Sequence, residues 1–312
     1  MSKILVTGGA GFIGSNVADN FVFLGHKVVI VDNLSTGFRE NISPGAKFYK
    51  IDIRSKKIEE IFKNEKIEVM CHHAAQIDVR KSVENPIQDA RINIEGTLNL
   101  LNNCIKYKTR KVIFASTGGA LYGEQDYFPA DEKHPERPLS PYGIAKLAIE
   151  KYLYFYKEVF GLNYISLRYA NVYGPRQNPW GEAGVVAIFT KKLLSGEKAI
   201  INGNGKQTRD FVYVKDVVKA NLSALNYPES DYFNIGTGIE SDVNNIFRLL
   251  KGKTGYKQKE IHGPAKPGEQ KRSVLDYSKA KKLLGWSPEF SLENGIQETV
   301  KYYREKNSLK NR

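Results

Sequence analysis

A glycine-rich turn between a strand and a helix constrains the fold of this chain more than any other feature. Residues 3–7, KILVT, form a short apolar β-rich run, and the apolar residues of NVADNFVFLG recur at helical spacing. Between them stand Gly8, Gly11 and Gly14, three residues apart. Glycines at these positions permit a tight turn and a close backbone approach to a pyrophosphate, which the N–H groups of the helix N-terminus can bind. The pattern predicts a dinucleotide site on a doubly wound sheet.

A second predicted strand, residues 27–31, ends at Asp32. An acid at about this distance from the glycine turn accepts hydrogen bonds from the adenosine ribose hydroxyls of a dinucleotide. A carboxylate there also repels a 2′-phosphate, so the sequence favours NAD over NADP. Arg39 lies near enough in sequence to keep NADP open as an alternative.

Apolar β-rich runs alternate with longer amphipathic stretches as far as residue 169. We predict strands at 3–7, 27–31, 46–51, 68–72, 110–115 and 162–168, and helices at 79–106 and 141–160. The alternation predicts the α/β class, with a Rossmann-type doubly wound parallel sheet and a smaller C-terminal α/β substrate-binding lobe. We assign residues 1–170 to the NAD-binding domain and 171–312 mainly to the lobe, with 211–238 rejoining the first sheet.

Tyr142 and Lys146 are four residues apart in a predicted helix and therefore share one helix face. An ammonium group beside a phenol favours the phenolate and lowers the tyrosine pKa from about 10. Tyr142 would then be a base able to work near neutral pH. Ligands of open α/β sheets bind beyond the carboxyl ends of the strands. This rule predicts one cleft bordered by Thr117, Tyr142, Tyr169 and Asn171.

Composition argues against several other classes of protein. The 312 residues carry a net charge of +13, which is spread along the chain, so we expect no nucleic-acid partner, although the field would attract an anionic diphosphate. No stretch approaches the ~20 apolar residues of a membrane span, and the chain runs directly into the glycine turn, so we expect neither a membrane partner nor a signal peptide. Cys71 and Cys104 fit reduced core thiols, which predicts a cytoplasmic protein without a metal site.

Ordered motifs along essentially the whole chain resemble those of the extended short-chain dehydrogenases/reductases, in the NAD-dependent epimerase/dehydratase group. These motifs are TGGAGFIGS, VDNLSTG, HHAAQ, NIEGT, FASTGGALYG, SPYGIAK, LRYANVYGPRQ, GVVAIF, TRDFVYVKDV, FNIGTG and DYSKAKKLLGW. Within the group they look most like those of bacterial and archaeal UDP-glucose 4-epimerases. The resemblance implies an NAD-dependent isomerase that oxidises C4 of a UDP-hexose to a 4-keto sugar and then reduces it from the opposite face.

The resemblance also implies roles for single residues. Tyr142 would be the general base and acid on the sugar O4, and Lys146 would lower its pKa and hold the nicotinamide ribose. Thr117 would hydrogen-bond O4, with Ser116 as the alternative. The residues implied to hold NAD are Gly8, Gly11, Phe12, Ile13, Gly14, Asp32, Asn33, Ser35, Thr36, Gly37, Asp52, Ile53, His73, Ala74, Ala75, Asn93, Ala115, Tyr142, Lys146 and Tyr169. Those implied to hold the substrate are Thr117, Gly118, Gly119, Tyr142, Asn171, Gly184, Val185, Val186, Asn202, Arg209, Lys266, Glu269 and Ser273.

The lack of an acid in one loop distinguishes epimerisation from the other reactions of the group. Dehydratases and decarboxylases of the group carry an acid between the Ser/Thr and the Tyr-Gly pair, whereas residues 117–123 contain no carboxylate. We therefore expect an epimerase rather than either of these. Two alternatives stay open: another nucleotide-sugar epimerase, such as a UDP-glucuronate 4-epimerase, and a non-catalytic NAD-binding regulator. The intact Tyr142 and Lys146 count against the regulator.

Three further expectations concern the substrate and the assembly. Residues 266–269 read Lys-Pro-Gly-Glu where some members have Arg-Pro-Gly-Asp. The Lys266 ammonium would therefore contact the diphosphate in place of an arginine guanidinium, which can form two parallel hydrogen bonds. Ser273 stands where family members line the pocket near the sugar C2, and its small side chain predicts that UDP-GlcNAc and UDP-GalNAc are accepted too. Members of the family dimerise through a four-helix bundle, which residues 88–106 and 144–160 would form here.

Overall fold

A computed structural model describes residues 1–180, 184–265 and 270–310. Its strands are β1 (Lys3–Thr7), β2 (Lys27–Asp32), β3 (Lys47–Lys50), β4 (Val69–His72), β5 (Lys111–Thr117), β6 (Asn163–Tyr169), β7 (Asn171–Tyr173), β8 (Ile200–Asn202), β9 (Thr208–Tyr213), β10 (Asp231–Ile235), β11 (Glu240–Asp242) and β12 (Ile261–Gly263). Its helices are α1 (Phe12–Phe23), α2 (Ile58–Glu65), α3 (Val79–Glu84), α4 (Pro86–Ala90), α5 (Gly96–Lys106), α6 (Gly118–Tyr122), α7 (Pro141–Phe160), α8 (Val185–Leu194), α9 (Val214–Asn226), α10 (Val243–Thr254), α11 (Ser278–Leu284) and α12 (Leu292–Lys310). Over these ranges, no helix is long and apolar enough to cross a membrane.

β1 lies inside a parallel sheet that has seven strands within the described residues, in the order β10-β6-β5-β4-β1-β2-β3. From β1 the chain adds β2 and β3 on one side and then crosses back to add β4, β5, β6 and β10 on the other. The strand order therefore reverses between β1 and β4, which is where open α/β sheets bind their ligands. The predicted Rossmann-type fold is confirmed.

Helices cover both faces of this sheet, which explains why its strands read as continuous apolar runs. On one face, Ile4 and Val6 of β1 pack with Phe21 of α1 and with residues of α9. On the other face, Leu5 packs in a cluster that contains Leu153 of α7 and residues of α2 and α5. The helix that starts at the glycine turn and the helix that carries Tyr142 thus lie on opposite faces of the sheet.

The single helix predicted at 79–106 is wrong, because the structure breaks it at Asn85. Asn85 has φ −141° and ψ 76°, outside the helical region, and its Oδ1 accepts a hydrogen bond from the Gln88 backbone N–H (3.0 Å) as the N-cap of α4. Pro86 has no N–H and occupies the first turn of α4, where none is needed. A π turn at Arg91–Glu95 then leads into α5. Side-chain capping outweighed the apolar periodicity that suggested one long helix.

The C-terminal part of the chain forms two small sheets, β11-β9-β7 and β12-β8, around a separate apolar cluster with α8, α10 and α12. Residues 211–238, which we expected to rejoin the large sheet, contribute strands to two different sheets. β10 pairs with β6, and α9 packs on the same sheet. Residues 211–213 instead belong to β9, which pairs with β7 and β11. The domain boundary at residue 170 stays a prediction.

A buried ion cluster joins β6 to α7. The Arg168 guanidinium donates from Nε to Glu150 (3.1 Å) and from Nη1 to the Tyr122 hydroxyl (2.9 Å), and Nη2 pairs with Glu150 and Glu136. Arg168 and Glu150 are both buried, and a charge that loses its partner in such a place is costly. The cluster therefore fixes α7 against the strand next to it.

Replacing Arg168 with Met should lower the free energy of unfolding by about 3–5 kcal/mol, because Glu150 would be left buried without its partner. Urea denaturation followed by circular dichroism measures the change. Arg137→Met is the matched control, since Arg137 is exposed and pairs with Asp126 at the surface, and we expect it to cost at most about 1 kcal/mol. Equal losses in the two variants would contradict a stabilising role for the buried cluster.

Candidate active site

The glycine turn after β1 closes tightly against the loop that follows β4. Gly8 has φ +67°, and a Cβ built on it would lie 2.6 Å from the Ala74 nitrogen. A Cβ on Gly14 would lie 2.3 Å from the Gly8 carbonyl oxygen. α1 starts at Phe12 after Gly11, which supplies no side-chain cap. The first N–H groups of α1 therefore point to a backbone-lined site that suits a phosphate.

Asp32 ends β2 with its carboxylate held by the backbone of two loops. Oδ2 accepts a hydrogen bond from the Ala10 N–H (3.0 Å) and Oδ1 accepts one from the Leu34 N–H (2.7 Å). Each oxygen keeps a second lone pair, so the carboxylate retains the capacity to accept from ribose hydroxyls. Gly37 packs on Ala10, where a Cβ would lie 2.9 Å from the Ala10 carbonyl carbon. The loop with Asn33, Ser35, Thr36 and Gly37 thus borders the turn, and these residues fit a dinucleotide.

Asp52 and Ile53, both expected near the adenine, follow β3 beside this loop. Asn33 donates from Nδ2 to Asp52 (3.0 Å), and Arg54 donates to both Asp52 oxygens (2.8 and 2.9 Å). The Arg54 hydrogen bonds hold the pKa of Asp52 well below its ordinary value. Arg54 was not among the predicted residues. Its position two residues after the predicted Asp52 was the sequence signal that could have identified it.

Asn93 uses most of its hydrogen-bonding capacity inside the protein. Its Oδ1 accepts from the Gln76 N–H (2.8 Å), and its Nδ2 donates to the Gln76 carbonyl (2.9 Å) and to Asp89 (3.0 Å). Both amide hydrogens are therefore occupied, and one lone pair on Oδ1 is what Asn93 can still offer a cofactor. Its main observed effect is to fix the loop that contains His73, Ala74 and Ala75. Gln76 and Asp89 were not predicted.

The two histidines at the end of β4 are neutral side chains. His72 lies between the Thr7 hydroxyl (2.6 Å) and the Thr97 hydroxyl (2.9 Å), and His73 Nε2 lies 3.2 Å from Cys71 Sγ. Burial lowers the pKa of His72 far below its usual value and lowers that of His73 to about 3. No group of three potential metal ligands occurs among the described residues. His73 therefore meets the cofactor cleft uncharged.

The first two turns of α7 bring Tyr142 and Lys146 to the end of β5. α7 is capped by Ser140, whose hydroxyl accepts from the Gly143 N–H (3.1 Å), and has Pro141 in its first turn. Lys146 is buried and donates from Nζ to the Ala115 carbonyl (2.7 Å). The ammonium lies 4.7 Å from the centre of the Phe114 ring and 5.8 Å from that of the Tyr142 ring. The expected pair thus exists, with the lysine anchored on β5.

The pKa of Tyr142 lies above its ordinary value in this structure, and the lowering expected from Lys146 stays a prediction. Burial raises the pKa of Tyr142, and the negative charge of Asp89 raises it further. Burial also lowers the pKa of Lys146 to about 8, which Asp89 and Glu150 oppose. The sequence could not reveal this outcome, because it depends on how deeply the pair is buried and on an acid from another helix.

Thr117 ends β5 and caps α6, its hydroxyl oxygen accepting from the Ala120 N–H (3.3 Å). Its hydroxyl hydrogen can still be donated to another oxygen. Ser116, the alternative, is buried, and its Oγ has no hydrogen-bond partner in the described part of the chain. A Cβ on Gly118 would lie 2.5 Å from Leu275 Cδ1, and one on Gly119 would lie 3.5 Å from Ser273 Oγ. Ser273 therefore borders the loop after Thr117.

Tyr169 is the register partner of Thr117 in the neighbouring strand, and its hydroxyl accepts from Asn221 Nδ2 (2.9 Å). Asn171 starts β7 and pairs with Phe211, two residues beyond Arg209 on β9. The structure thus brings Thr117, Tyr169 and Asn171 to one end of the sheet. Asn221, on α9, was not predicted.

The remaining predicted substrate residues lie in the smaller lobe. Gly184 precedes α8, and Val185 and Val186 form its first turn. Val186 packs in the core of the lobe, so its side chain serves the fold. Asn202 ends β8. Lys266 and Glu269 lie outside the described residues.

A phosphate-binding turn beside a buried tyrosine–lysine pair, both at the carboxyl edge of a doubly wound sheet, defines an extended short-chain dehydrogenase/reductase. Enzymes of this class use a nicotinamide cofactor for hydride chemistry at an alcohol carbon. The chain belongs to the NAD dependent epimerase/dehydratase family, whose sequence profile matches residues 4–236.

Three relatives are similar over nearly their whole length. A putative UDP-glucose 4-epimerase of Methanocaldococcus jannaschii is 49% identical to this chain. The aligned region covers 97% of this chain and 99% of that protein. The structure of Thermotoga maritima UDP-glucose 4-epimerase with UDP-glucose is 51% identical with a TM-score of 0.96, covering 98% of this chain and 99% of that one. The structure of Thermus thermophilus UDP-glucose 4-epimerase in complex with NAD is 42% identical with a TM-score of 0.92. It covers 97% of this chain and 99% of that one.

Replacing Asp32 with Ser should weaken NADH binding about tenfold and narrow the preference for NADH over NADPH, because the acceptor of the ribose hydroxyls and the repelling charge are both removed. Fluorescence titration with each cofactor measures the two dissociation constants. Asp126→Asn, at an exposed position, is the control for the loss of one negative charge. An unchanged NADH affinity in Asp32→Ser would contradict the assigned role.

Proposed function

We propose that this chain is an NAD-dependent UDP-hexose 4-epimerase that interconverts UDP-glucose and UDP-galactose. The observation that carries the proposal is the Tyr142–Lys146 pair at the end of β5, next to Thr117 and across the sheet edge from the glycine turn. The full-length similarity to proteins named UDP-glucose 4-epimerase supports the same reaction.

Each group of the site has one task in this reaction. The glycine turn at Gly8 and the Asp32 carboxylate would hold NAD, which would supply the acceptor and donor of the C4 hydride and a positively charged ring. Tyr142 removes the proton from O4 as C4 becomes a ketone, and it returns that proton when C4 is reduced from the opposite face. Thr117 donates its hydroxyl hydrogen to O4 and orients it. No net oxidation remains at the end of the cycle, because the sugar leaves with the same number of hydrogens.

Tyr142 must lose its proton, and burial opposes that loss. Lys146 is the cation of this chain placed next to the phenol, and its pKa of about 8 keeps it mostly protonated near neutral pH. The proposed part of Lys146 is therefore electrostatic support of the phenolate and a hydrogen bond to the nicotinamide ribose. Its bond to the Ala115 carbonyl leaves two further N–H groups for that purpose.

The loop after Thr117 favours epimerisation over elimination. Residues 117–123 contain no carboxylate, and a Cβ at Gly118 or Gly119 would face Leu275 or Ser273, neither of which is an acid. An elimination needs a group that moves the C5 proton, and this loop does not supply one. The same fold occurs in a dTDP-glucose 4,6-dehydratase with a TM-score of 0.89, so the fold alone does not distinguish the two reactions.

Purified protein with NAD should convert UDP-galactose to UDP-glucose, and Tyr142→Phe should lower the rate by a factor of about 10²–10⁴ because the general base is lost. Chromatographic separation of the two epimers measures the conversion. Tyr152→Phe, an exposed tyrosine on the same helix, is the matched control and should retain full activity. An inactive wild-type protein that still binds NAD would redirect the assignment to UDP-glucuronate, and equal activity of Tyr142→Phe would remove Tyr142 as the base.

We also propose that UDP-GlcNAc and UDP-GalNAc are substrates, because Ser273 is small and borders Gly119, two residues after Thr117, the predicted partner of the sugar O4. Ser273→Tyr should lower the rate with UDP-GalNAc at least tenfold and leave the rate with UDP-galactose within about threefold, since the phenol ring fills the space of an acetamido group. Competition between the two substrates in one reaction measures the ratio. Equal losses with both would show that Ser273 lies away from C2.

The assembly and location are further proposals. Large apolar side chains are exposed along α4 and α7: Ile87, Ile144, Phe155, Val159 and Phe160. An exposed apolar surface of this extent is typical of a protein interface and supports a homodimer through a four-helix bundle of 88–106 and 144–160. Cys71 and Cys104 are buried and unpaired, which supports a cytoplasmic location.

A further inference from the structure

A buried acid that no sequence motif indicated lies on a helix that packs against the helix of the Tyr142–Lys146 pair. Asp89 is 1% exposed and belongs to α4, which packs against α7, the helix that carries the pair. A carboxylate this deeply buried loses most of its hydration, and buried charges are ordinarily paired or functional. The site chemistry proposed above does not use Asp89.

The two oxygens of Asp89 have different surroundings. Oδ1 accepts hydrogen bonds from Gln76 Nε2 (2.9 Å) and from Asn93 Nδ2 (3.0 Å). Oδ2 is buried and has no hydrogen-bond partner among the described residues. Oδ1 therefore fixes the loop after β4. Oδ2 carries part of the negative charge of the carboxylate, and no described residue neutralises that charge by a direct contact.

The charge of Asp89 acts on both members of the pair. Burial lowers the pKa of Lys146, and Asp89 is the largest influence that opposes this. Burial raises the pKa of Tyr142, and Asp89 adds to the increase. Burial raises the pKa of Asp89 itself, against its two hydrogen bonds and the charge of Lys146. Because the surroundings exclude water, these charges interact more strongly than they would at the surface.

Other ionisable groups around the pair are neutral, paired or exposed. Glu150, which also supports the charge on Lys146, is held by Arg168. The neutral groups, whose pKa values burial shifts away from the charged form, are His72, His73, Cys71 and Tyr169. The charged residues of α3 and the π turn, which also pack against α7, are exposed: Arg80, Lys81, Glu84, Arg91 and Glu95. Asp89 is thus the buried acid beside the pair that no cation contacts directly in the described part of the chain.

We propose that Asp89 is a positioning residue of the epimerase, acting as the buried counter-charge that sets the protonation of Tyr142 and Lys146 together. Its Oδ1 at the same time ties the loop after β4 to α4 through Gln76 and Asn93. One side chain therefore connects the segment that borders the cofactor turn with the acid–base pair. The inference rests on the proposed role of Tyr142 as the base.

Asp89→Asn separates these two tasks, because the amide oxygen can still accept from Gln76 and Asn93 while the charge is lost. A negative charge raises the pKa of each neighbouring group, so its removal lowers both. We expect the whole pH profile of kcat/KM for UDP-galactose to move to lower pH by about one unit. Glu158→Gln, which removes an exposed acid from the same helix as the pair, should leave the profile in place.

An unshifted profile in a folded Asp89→Asn protein, with or without a uniform loss of rate, would overturn the proposal and leave Asp89 as a structural anchor. If Asp89→Asn does not fold, Asp89→Ser lacks the same charge, retains one acceptor and must shift the profile in the same direction.

A spectrophotometric titration tests the inference independently of turnover. The tyrosinate absorbance of each protein minus that of its Tyr142→Phe form reports the ionisation of Tyr142. We expect it at lower pH in Asp89→Asn than in the wild type. An inactive wild-type protein would count against the epimerase assignment, whereas an unchanged Tyr142 titration would count against Asp89 alone.

Discussion

The close approach of two backbone segments at Gly8 is the constraint on which the rest of the site depends. β1 and β4 are neighbours in the sheet, and the chain leaves them in different directions at their carboxyl ends. Gly8 allows the two backbone segments that follow these strands to pack closely, because it has no side chain and tolerates φ +67°. The carbonyl of Gly8 contacts Gly14, so α1 can begin only where the turn directs it. The position of the phosphate site and the path of the loop through Ala74 are thus set by one steric requirement.

A buried carboxylate connects the smaller lobe to this frame. Asp210, on β9, accepts hydrogen bonds from the Thr237 N–H (2.9 Å), the Gly238 N–H (3.2 Å) and the Leu275 N–H (3.3 Å). Its own N–H donates to the Ser273 carbonyl (2.8 Å). β9, the loop after β10 and the segment of Ser273 therefore form one hydrogen-bonded unit. Arg209 and Ser273, both predicted to hold the substrate, belong to that unit.

Sequence reasoning was most successful where burial alone decides the structure. The strands of the large sheet were found because both of their faces are covered, which leaves an unbroken apolar signal. The break at Asn85 was missed because a single side-chain cap competes with periodicity. The raised pKa of Tyr142 was also missed, since it depends on tertiary burial and on Asp89. Arg54, Gln76 and Asn221 act through hydrogen bonds to predicted residues, and spacing along the chain does not reveal such partners.

The packing of the two glycines after Thr117 restricts how this scaffold can acquire a different reaction. A side chain at Gly118 would collide with Leu275, whereas one at Gly119 would meet Ser273 at an ordinary contact distance. A side chain at Gly119 therefore fits without displacing a neighbour, whereas a side chain at Gly118 requires the Leu275 side chain to move. An acidic side chain in this loop would therefore be accommodated more easily at Gly119, next to Ser273, than at Gly118.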